Sequence, residues 1–281
     1  MYISGINTYN NYNNHTLGFC AANPKSLVFK NEDFFVNIRG YGKNRIWADS
    51  VKKTANQAVQ EIKKGSLADK ILSNIAKGVK TANEFCRDLR KRQHTGILRT
   101  KRKGYGSPGE WEYIDLVTPI TKPYCVYEKK FRIAADNPFK SPFYDMQVAE
   151  IEKGDWLDYD LRIVHPDSKL VNNALDRVGG KYFNLKRDYI TKPENVTEEN
   201  LPKINSDIAE IRWIMAHSMP WERGSDAISN VFTRALYKSM GIKSYPIKKD
   251  ISLDLEAFCT PLNEYKQKFA SYFEKEPEIV R

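Results

Sequence analysis

The sequence contains no run of about 18 consecutive apolar residues, the length that a membrane-spanning helix requires. This absence excludes a transmembrane helix. Cysteine is also scarce, and its four positions form no Cys-x-x-Cys pair: Cys20, Cys86, Cys125 and Cys259. The spacing excludes a zinc ribbon or a dithiol redox motif. Four scattered cysteines predict reduced thiols and a reducing compartment.

Acidic residues are fewer than basic residues. The 281 residues include 45 Lys and Arg against 35 Asp and Glu, which gives a formal net charge of +10. Such a charge indicates an anionic partner: a nucleic acid, a nucleotide or an acidic membrane surface. Hydrophobic residues make up 41% and aromatic residues 12% of the chain. That content is enough for a hydrophobic core and excludes disorder of the whole chain.

The first 16 residues carry no Lys, Arg, Asp or Glu, and Asn and Tyr predominate. We predict a flexible leader over residues 1–24, because so little apolar area does not offset the entropy of ordering. The leader lacks the basic start and apolar middle of a cleaved secretory signal. It resembles the uncleaved export signals of bacterial type III effectors, which implies delivery into a target-cell cytoplasm. The alternative is an ordinary frayed terminus on a cytoplasmic protein.

Hydrophobic periodicity predicts two helices early in the chain. Apolar residues recur at helical spacing from Val51 to Ile62 and again from Leu67 to Leu89. Two helices joined by so short a turn are expected to form an antiparallel hairpin. Two short strands are expected before them, at 27–29 and 34–38.

The rest of the chain predicts strands followed by helices. Alternating, β-rich stretches are expected to form a central antiparallel sheet from residues 111–116, 124–133, 143–151 and 161–164. Helical spacing returns from Thr197 onward, with stripes that end at Met215 and Met240 and a last helix over 262–273. The predicted fold class is α+β, with a helical hairpin, a central antiparallel sheet and a helical C-terminal third.

The predicted domains are the leader (1–24), a unit of short strands and hairpin with a basic end (25–104), and an α+β domain (105–281). The boundary is placed at the Gly- and Pro-containing loop over 104–109.

The segment from residue 216 to residue 226 joins two predicted helices and holds the strongest candidate site. Arg223, Gly224 and Ser225 lie where the second helix begins, and free N–H groups at a helix N-terminus bind phosphate or carboxylate. His217 is the candidate general base, and Glu222 is placed to orient it. The alternative is a packed turn in which backbone groups satisfy His217 and Arg223 pairs with a neighbouring acid.

The order helix, His217, six residues, Gly224, helix resembles the motif of the Fic family of nucleotidyl-transferring proteins. This resemblance covers residues 208–240 and implies that His217 is the base and that phosphate binds around Gly224. The sequence departs from the family motif in one glycine position, occupied by Glu222 or Arg223, and in the absence of the Asn and Arg that follow it.

A second arrangement resembles the ADP-ribosyltransferase pattern. Arg39 lies in a predicted early strand, and Glu110 and Glu112 follow a glycine-containing loop. The resemblance implies that Arg39 holds a phosphate of the nicotinamide cofactor and that Glu112 polarises the ribose and the acceptor. The family's Ser-Thr-Ser strand is absent between them. The alternative is a pair of surface carboxylates on one face of a strand.

Residues 87–103 form the most basic segment of the chain. Arg99, Lys101, Arg102 and Lys103 are candidate contacts for nucleic acid phosphates, with aromatic residues close by for stacking. An anionic lipid surface is a second possible partner, and a solvated charged linker is the alternative to both. The histidines and cysteines show no metal-ligand spacing, so no metal site is predicted.

These observations favour a bacterial effector or toxin that acts as a transferase on a target-cell macromolecule, with a nucleotide as the possible cofactor. An anionic ligand or macromolecule is the expected partner, and a target-cell protein is a candidate acceptor. Two alternatives stay open. The chain is either a basic nucleic-acid-binding module that uses residues 87–103, or an interaction effector without catalytic activity.

Overall fold

The computed structural model describes residues 27–35, 44–86, 94–100, 125–126, 130–131, 150–153, 161–164, 171–249 and 251–280. The predicted leader lies outside these ranges. So do the proposed domain boundary at 104–109 and most of the region in which the central sheet is expected.

The predicted hairpin is present. Helix α1 (Arg45–Lys63) and helix α2 (Ala68–Phe85) are joined by a short turn and pack along their apolar stripes. Helix α1 begins earlier than its hydrophobic stripe, because the Asn44 Oδ1 accepts a hydrogen bond from the Trp47 backbone N–H at 2.9 Å and caps the helix.

The two helices approach closely in the middle of the hairpin. Gly78 of α2 lies against Thr54 of α1, and a Cβ atom at Gly78 would lie 2.3 Å from the Thr54 Oγ1. The Thr54 hydroxyl donates back to the Ser50 carbonyl at 3.3 Å. Gly78 therefore determines how near the two helix axes come.

The segment before the hairpin differs from the prediction. Asn31–Phe34 is a 3-10 helix, at the point where a strand over 34–38 is expected to begin. The Asp33 carboxylate accepts a hydrogen bond from the Lys30 backbone N–H at 2.7 Å. This local side-chain bond competes with extended pairing and stabilises the turn.

Strands in the described residues occur as three two-stranded antiparallel sheets. Strand β1 (Cys125–Val126) pairs with β2 (Lys130–Phe131), and β3 (Glu150–Lys153) pairs with β4 (Leu161–Val164), with Ile151 opposite Ile163. Near the C-terminus β5 (Ile242–Lys243) pairs with β6 (Glu278–Ile279). The predicted strand at 111–116 lies outside the described residues.

The C-terminal part is helical, as predicted. It contains α3 (Val171–Leu185), α4 (Leu201–Ser218), α5 (Ser225–Ser239), α6 (Leu253–Cys259) and α7 (Leu262–Lys268). The predicted last helix is shorter than expected, since α7 gives way to a 3-10 helix at Phe269–Tyr272. Helix α3, which continues into a π-helix at Lys186–Ile190, is an element that the sequence pattern did not reveal.

One continuous hydrophobic core joins the hairpin to the C-terminal helices. Helix α5 packs on both α1 and α2, and α4 packs on α3, α5, α6 and α7. The fold class is α+β with a helical C-terminal part. Among the helices of the described ranges, none is both long and apolar enough to span a bilayer.

A buried arginine lies where three parts of the chain meet. Arg234 of α5 has no exposed surface. Its Nη1 donates to the Tyr245 carbonyl at 3.1 Å and the Ser244 hydroxyl at 3.3 Å, and it lies 3.8 Å from the Asp33 Oδ1. Burial lowers the pKa of Arg234 to about 10, so the guanidinium remains charged at neutral pH.

Aromatic rings enclose the rest of this guanidinium. The ring centroids of Phe34 and Phe273 lie 5.8 Å and 5.9 Å from its central carbon. The Arg234 Nε and Nη2 have no hydrogen-bond partner, so the two ring faces supply the electron density that would otherwise come from oxygen acceptors. Arg234 thereby connects the N-terminal 3-10 helix, α5 and the C-terminal segment.

Gly78 supports a paired stability prediction. Gly78→Ala should destabilise the fold by about 1–3 kcal/mol, because the new methyl group forces α1 and α2 apart. Gly179→Ala is the matched control in α3, where a Cβ atom would meet nothing within 4 Å. The control should stabilise the protein by up to about 1 kcal/mol through helix propensity. Urea unfolding of both variants measures the difference, and equal effects would contradict the close approach of the hairpin helices.

Candidate functional site

Two residues with a left-handed backbone conformation form the corner between α4 and α5. Met219 (φ 39°) ends α4, and Gly224 (φ 84°) is the N-cap of α5. Ser225 is the first residue of α5 and is buried. Its hydroxyl donates to the Trp221 carbonyl and accepts from the Trp221 N–H, both at 3.1 Å. These bonds hold the Ser225 side chain inside the corner.

The segment over residues 94–99 pairs with this corner. Thr95 forms a bridge with Arg223, and Leu98 forms one with Trp221. The Gly96 N–H donates to the Arg223 carbonyl at 3.1 Å. Residues 94–99, here called the clamp, therefore fix the backbone of the predicted phosphate-binding residues.

Arg99, one of the predicted nucleic-acid contacts, belongs to the clamp. Its side chain is buried, with 4% exposed. The Nη2 donates to the Ser218 carbonyl at 2.8 Å and the Nε donates to the Met219 carbonyl at 2.8 Å. A cation on the last carbonyls of a helix stabilises that end of the helix. In this structure Arg99 caps α4 and is not a surface cation. Lys101, Arg102 and Lys103 lie outside the described residues.

His217 lies in the last turn of α4 and has no exposed surface. Its Nε2 is 2.9 Å from the Ala257 carbonyl oxygen. Since a carbonyl only accepts, the Nε2 carries the proton and donates it. The ring also packs on Trp213, with centroids 3.9 Å apart. Burial lowers the pKa of His217 to about 3, so the ring is neutral at physiological pH.

This environment matches the packed-turn alternative, in which a backbone group satisfies the histidine. The role of general base for His217 stays a prediction, and it requires that the corner open to admit a ligand.

Glu222 pairs with a histidine of the clamp. Its Oε2 lies 2.8 Å from the Nδ1 of His94, a residue of the clamp with a left-handed backbone (φ 70°). Both side chains are partly exposed, with 59% of His94 and 34% of Glu222 open to solvent. Glu222 thus ties the clamp to the corner, and its role in orienting His217 stays a prediction.

The structure places a different carboxylate at the start of α5. Arg212, buried in α4, donates from Nη2 to the Asp226 Oδ1 and from Nη1 to the Asp226 carbonyl at 3.1 Å. Only 2% of the Arg212 side chain is exposed, but 39% of the Asp226 side chain is open to solvent. Asp226 therefore has its inner edge on a buried cation and its outer edge accessible to a ligand.

The pKa of Asp226 is raised to about 6. Loss of hydration on the inner side of the carboxyl group, against α4, is the largest cause, the neighbouring Asp254 carboxylate of α6 adds to it, and Arg212 opposes it. A carboxyl group that titrates near neutral pH is suited to accept a proton from a substrate. The candidate site consists of Asp226 with Arg212, Asp254 and the adjoining residues Arg223 and Gly224.

Other predicted site residues cannot be placed. Arg39, Glu110 and Glu112, which carry the resemblance to ADP-ribosyltransferases, lie outside the described residues. In the ranges that the structure covers, no three His, Cys, Asp or Glu side chains come together as a metal site.

Sequence reasoning pointed to the same corner but did not single out Arg212, Asp226 or Asp254. Arg212 stands within the apolar stripe of α4, where a buried charge signals a specific partner. Asp226 lies in the first turn after Gly224, where a carboxylate meets the positive end of a helix. Two features of the sequence indicated this pair: an arginine within the apolar stripe of α4, and an acidic residue in the first turn of the helix that follows.

Comparison with known proteins finds a family model that matches part of the chain. Residues 163–276 match the model of the AvrB_AvrC family, described as avirulence protein. The matched segment is about two fifths of the chain and contains α3 to α7 with the candidate site. No curated protein matches the chain. The family match supports the expectation of a bacterial avirulence effector and gives no support to a Fic-type motif.

The raised pKa of Asp226 predicts a pH dependence of stability. Its folded pKa exceeds the ordinary value of 3.8, so the native state binds the proton more tightly than the unfolded state. The free energy of unfolding should therefore fall as pH rises between about 4 and 6. In Asp226→Asn this contribution is absent, and comparing the variant with the wild type cancels the other titrating groups. Urea midpoints across this range measure it, and parallel curves for the two proteins would contradict the raised pKa.

Proposed function

We propose that this chain is a bacterial effector that transfers a nucleotide-derived group to a protein in the target-cell cytoplasm. The family match supports the effector part of this proposal. The transfer part is carried by one observation: Asp226, a solvent-accessible carboxylate whose pKa is raised to about 6, stands at the N-terminus of α5 beside the buried Arg212.

The chemistry follows from the positions of these groups. A nucleotide presents phosphate oxygens, which helix N–H groups and a guanidinium bind well. Arg223 and Gly224 immediately precede α5, and the clamp fixes their backbone. We assign the phosphate to this turn, with the Arg223 side chain as its cation.

Asp226 then serves as the general base. It takes the proton from an acceptor hydroxyl as the hydroxyl oxygen bonds to the transferred group. With ATP as the donor, the bond between the α-phosphorus and the oxygen that bridges to the β-phosphate breaks, and its electron pair leaves on pyrophosphate. With NAD as the donor, the bond between the ribose C1′ and the nicotinamide nitrogen breaks, and its electron pair leaves on nicotinamide. Arg223 and the start of α5 hold the developing negative charge. Arg212 keeps the Asp226 carboxylate in place.

Binding and transfer respond differently to substitution. Arg223→Ala should weaken the binding of ATP or NAD by about 10- to 100-fold, the usual cost of losing a charge-assisted contact. Asp226→Asn should leave binding within about threefold and abolish transfer, because the amide cannot accept the proton. Calorimetry measures the binding, and mass spectrometry of target-cell proteins incubated with enzyme and nucleotide measures the transfer.

Two controls make the result specific. Glu264→Gln, which removes an exposed carboxylate from α7, should change neither binding nor transfer. His217→Gln tests the other base: loss of transfer in a folded His217→Gln protein, with full activity in Asp226→Asn, would move the base to the histidine. Wild-type protein that binds no nucleotide would favour the interaction effector without catalysis.

The nucleic-acid alternative has less support from the described residues, since Arg99 caps α4. It rests on Lys101, Arg102 and Lys103. If these three bind duplex DNA, replacing them with Gln should reduce the slope of log affinity against log salt by roughly 2 to 3.

A further inference from the structure

One face of α3 is exposed along its whole length. The opposite face is buried in the core, from Val171 to Leu185. The exposed face carries Phe183, with 56% of its surface open to solvent. Phe183 lies near the C-terminal end of α3 and makes no ring contact with the described residues, so its aromatic face is open to contact with another molecule.

A glycine lies next to this aromatic residue on the same face. A Cβ atom at Gly180 would meet nothing within 4 Å. Glycine in a helix interior costs about 1 kcal/mol relative to alanine, and no packing against the described residues explains this glycine. A glycine on a helix surface allows another backbone or a large side chain to approach closely.

The charges on this face are arranged symmetrically about the glycine and the phenylalanine. Asp176, Gly180, Phe183 and Arg187 follow one another at intervals of four, three and four residues, which is the spacing of a seam between two packed helices. The midpoint of this set lies between residues 181 and 182. Positions 180 and 183 are equally far from it, and so are positions 176 and 187.

We propose that α3 pairs antiparallel with α3 of a second copy of this chain. Around a two-fold axis at the midpoint, Phe183 of each copy fits over Gly180 of the other, and Asp176 of each copy meets Arg187 of the other. A two-fold interface requires this kind of self-complementarity. The charge pattern excludes a parallel pair, since parallel helices in register place like charges opposite each other.

The neighbouring charges are compatible with this arrangement. Arg187 pairs with Asp188 through its Nε and Nη2, at 2.7 Å and 2.8 Å, and its Nη1 takes no part in that pair. Lys181, close to the axis, is paired with Glu210 at 2.9 Å. Its charge is thus neutralised within its own copy, and the two lysines at the centre repel each other little.

The size of the contact sets its strength. A stable dimer buries about 1,200–2,000 Å², and one helix pair supplies less than this. The turn between α1 and α2 stands beside α3, where the Tyr182 hydroxyl donates to the Ser66 carbonyl at 3.0 Å, and this turn carries the exposed Leu67. We expect a dissociation constant on the order of 10⁻⁵ M.

Sedimentation velocity of the full chain over a concentration series tests the proposal. The wild type should pass from monomer to dimer, and Phe183→Glu should stay monomeric at every concentration. Phe85→Glu is the matched control. Phe85 is also an exposed aromatic residue, with 63% open to solvent, but it lies at the end of α2. This control should dimerise like the wild type.

A charge exchange tests the antiparallel geometry. Asp176→Arg and Arg187→Asp should each weaken the dimer at least tenfold, because like charges then face each other. The double variant should recover wild-type affinity within about threefold. Equal melting temperatures show that each variant is folded. A monomeric wild type, a dimer that tolerates Phe183→Glu, or a double variant that stays weak would each overturn the proposal.

Discussion

The enclosed positive charge of Arg234 is the constraint on which the rest of the fold depends. A guanidinium without access to water is tolerated only where acceptors and aromatic faces replace its hydration. Here Asp33, Phe34, Tyr245 and Phe273 supply them from both ends of the described chain. Each of these groups must be in place for the charge to be stable inside the protein, so α5 is formed in its native position only when both flanking segments are docked on it.

Two more buried arginines, at the candidate site, are also paired within the protein. Arg99 places its charge on the last carbonyls of α4, and Arg212 places its charge on Asp226 at the start of α5. A basic chain therefore uses three of its arginines as internal connectors and not as surface cations. Two of them set the geometry of the corner from opposite sides: one closes the helix that ends there, and the other orients the carboxylate of the helix that begins there. The site is rigid because its charges are already paired within the protein.

The sequence predicted those features that depend on local periodicity. The hairpin, α4 and α5 were found because each has an uninterrupted apolar stripe. Helix α3 was missed, since Gly179 and Gly180 interrupt its middle and weaken the helical signal. The corner between α4 and α5 was expected from the sequence, but the environments of its residues were not readable. Burial decides that His217 is neutral and that Asp226 titrates near neutral pH, and burial arises from helices distant in sequence. The partners of Arg99 lie 119 and 120 residues away, so only its charge was visible beforehand.

The pairing of the clamp with the corner joins segments that lie more than a hundred residues apart in the chain. Contacts between residues separated by more than a hundred positions form late, because the intervening loop must first lose its conformational freedom. The hairpin, by contrast, closes over a turn of a few residues. A chain threaded through a secretion channel and refolding at its destination would regain the hairpin early and the corner last. The start of α5 therefore takes its native shape in the last of these steps.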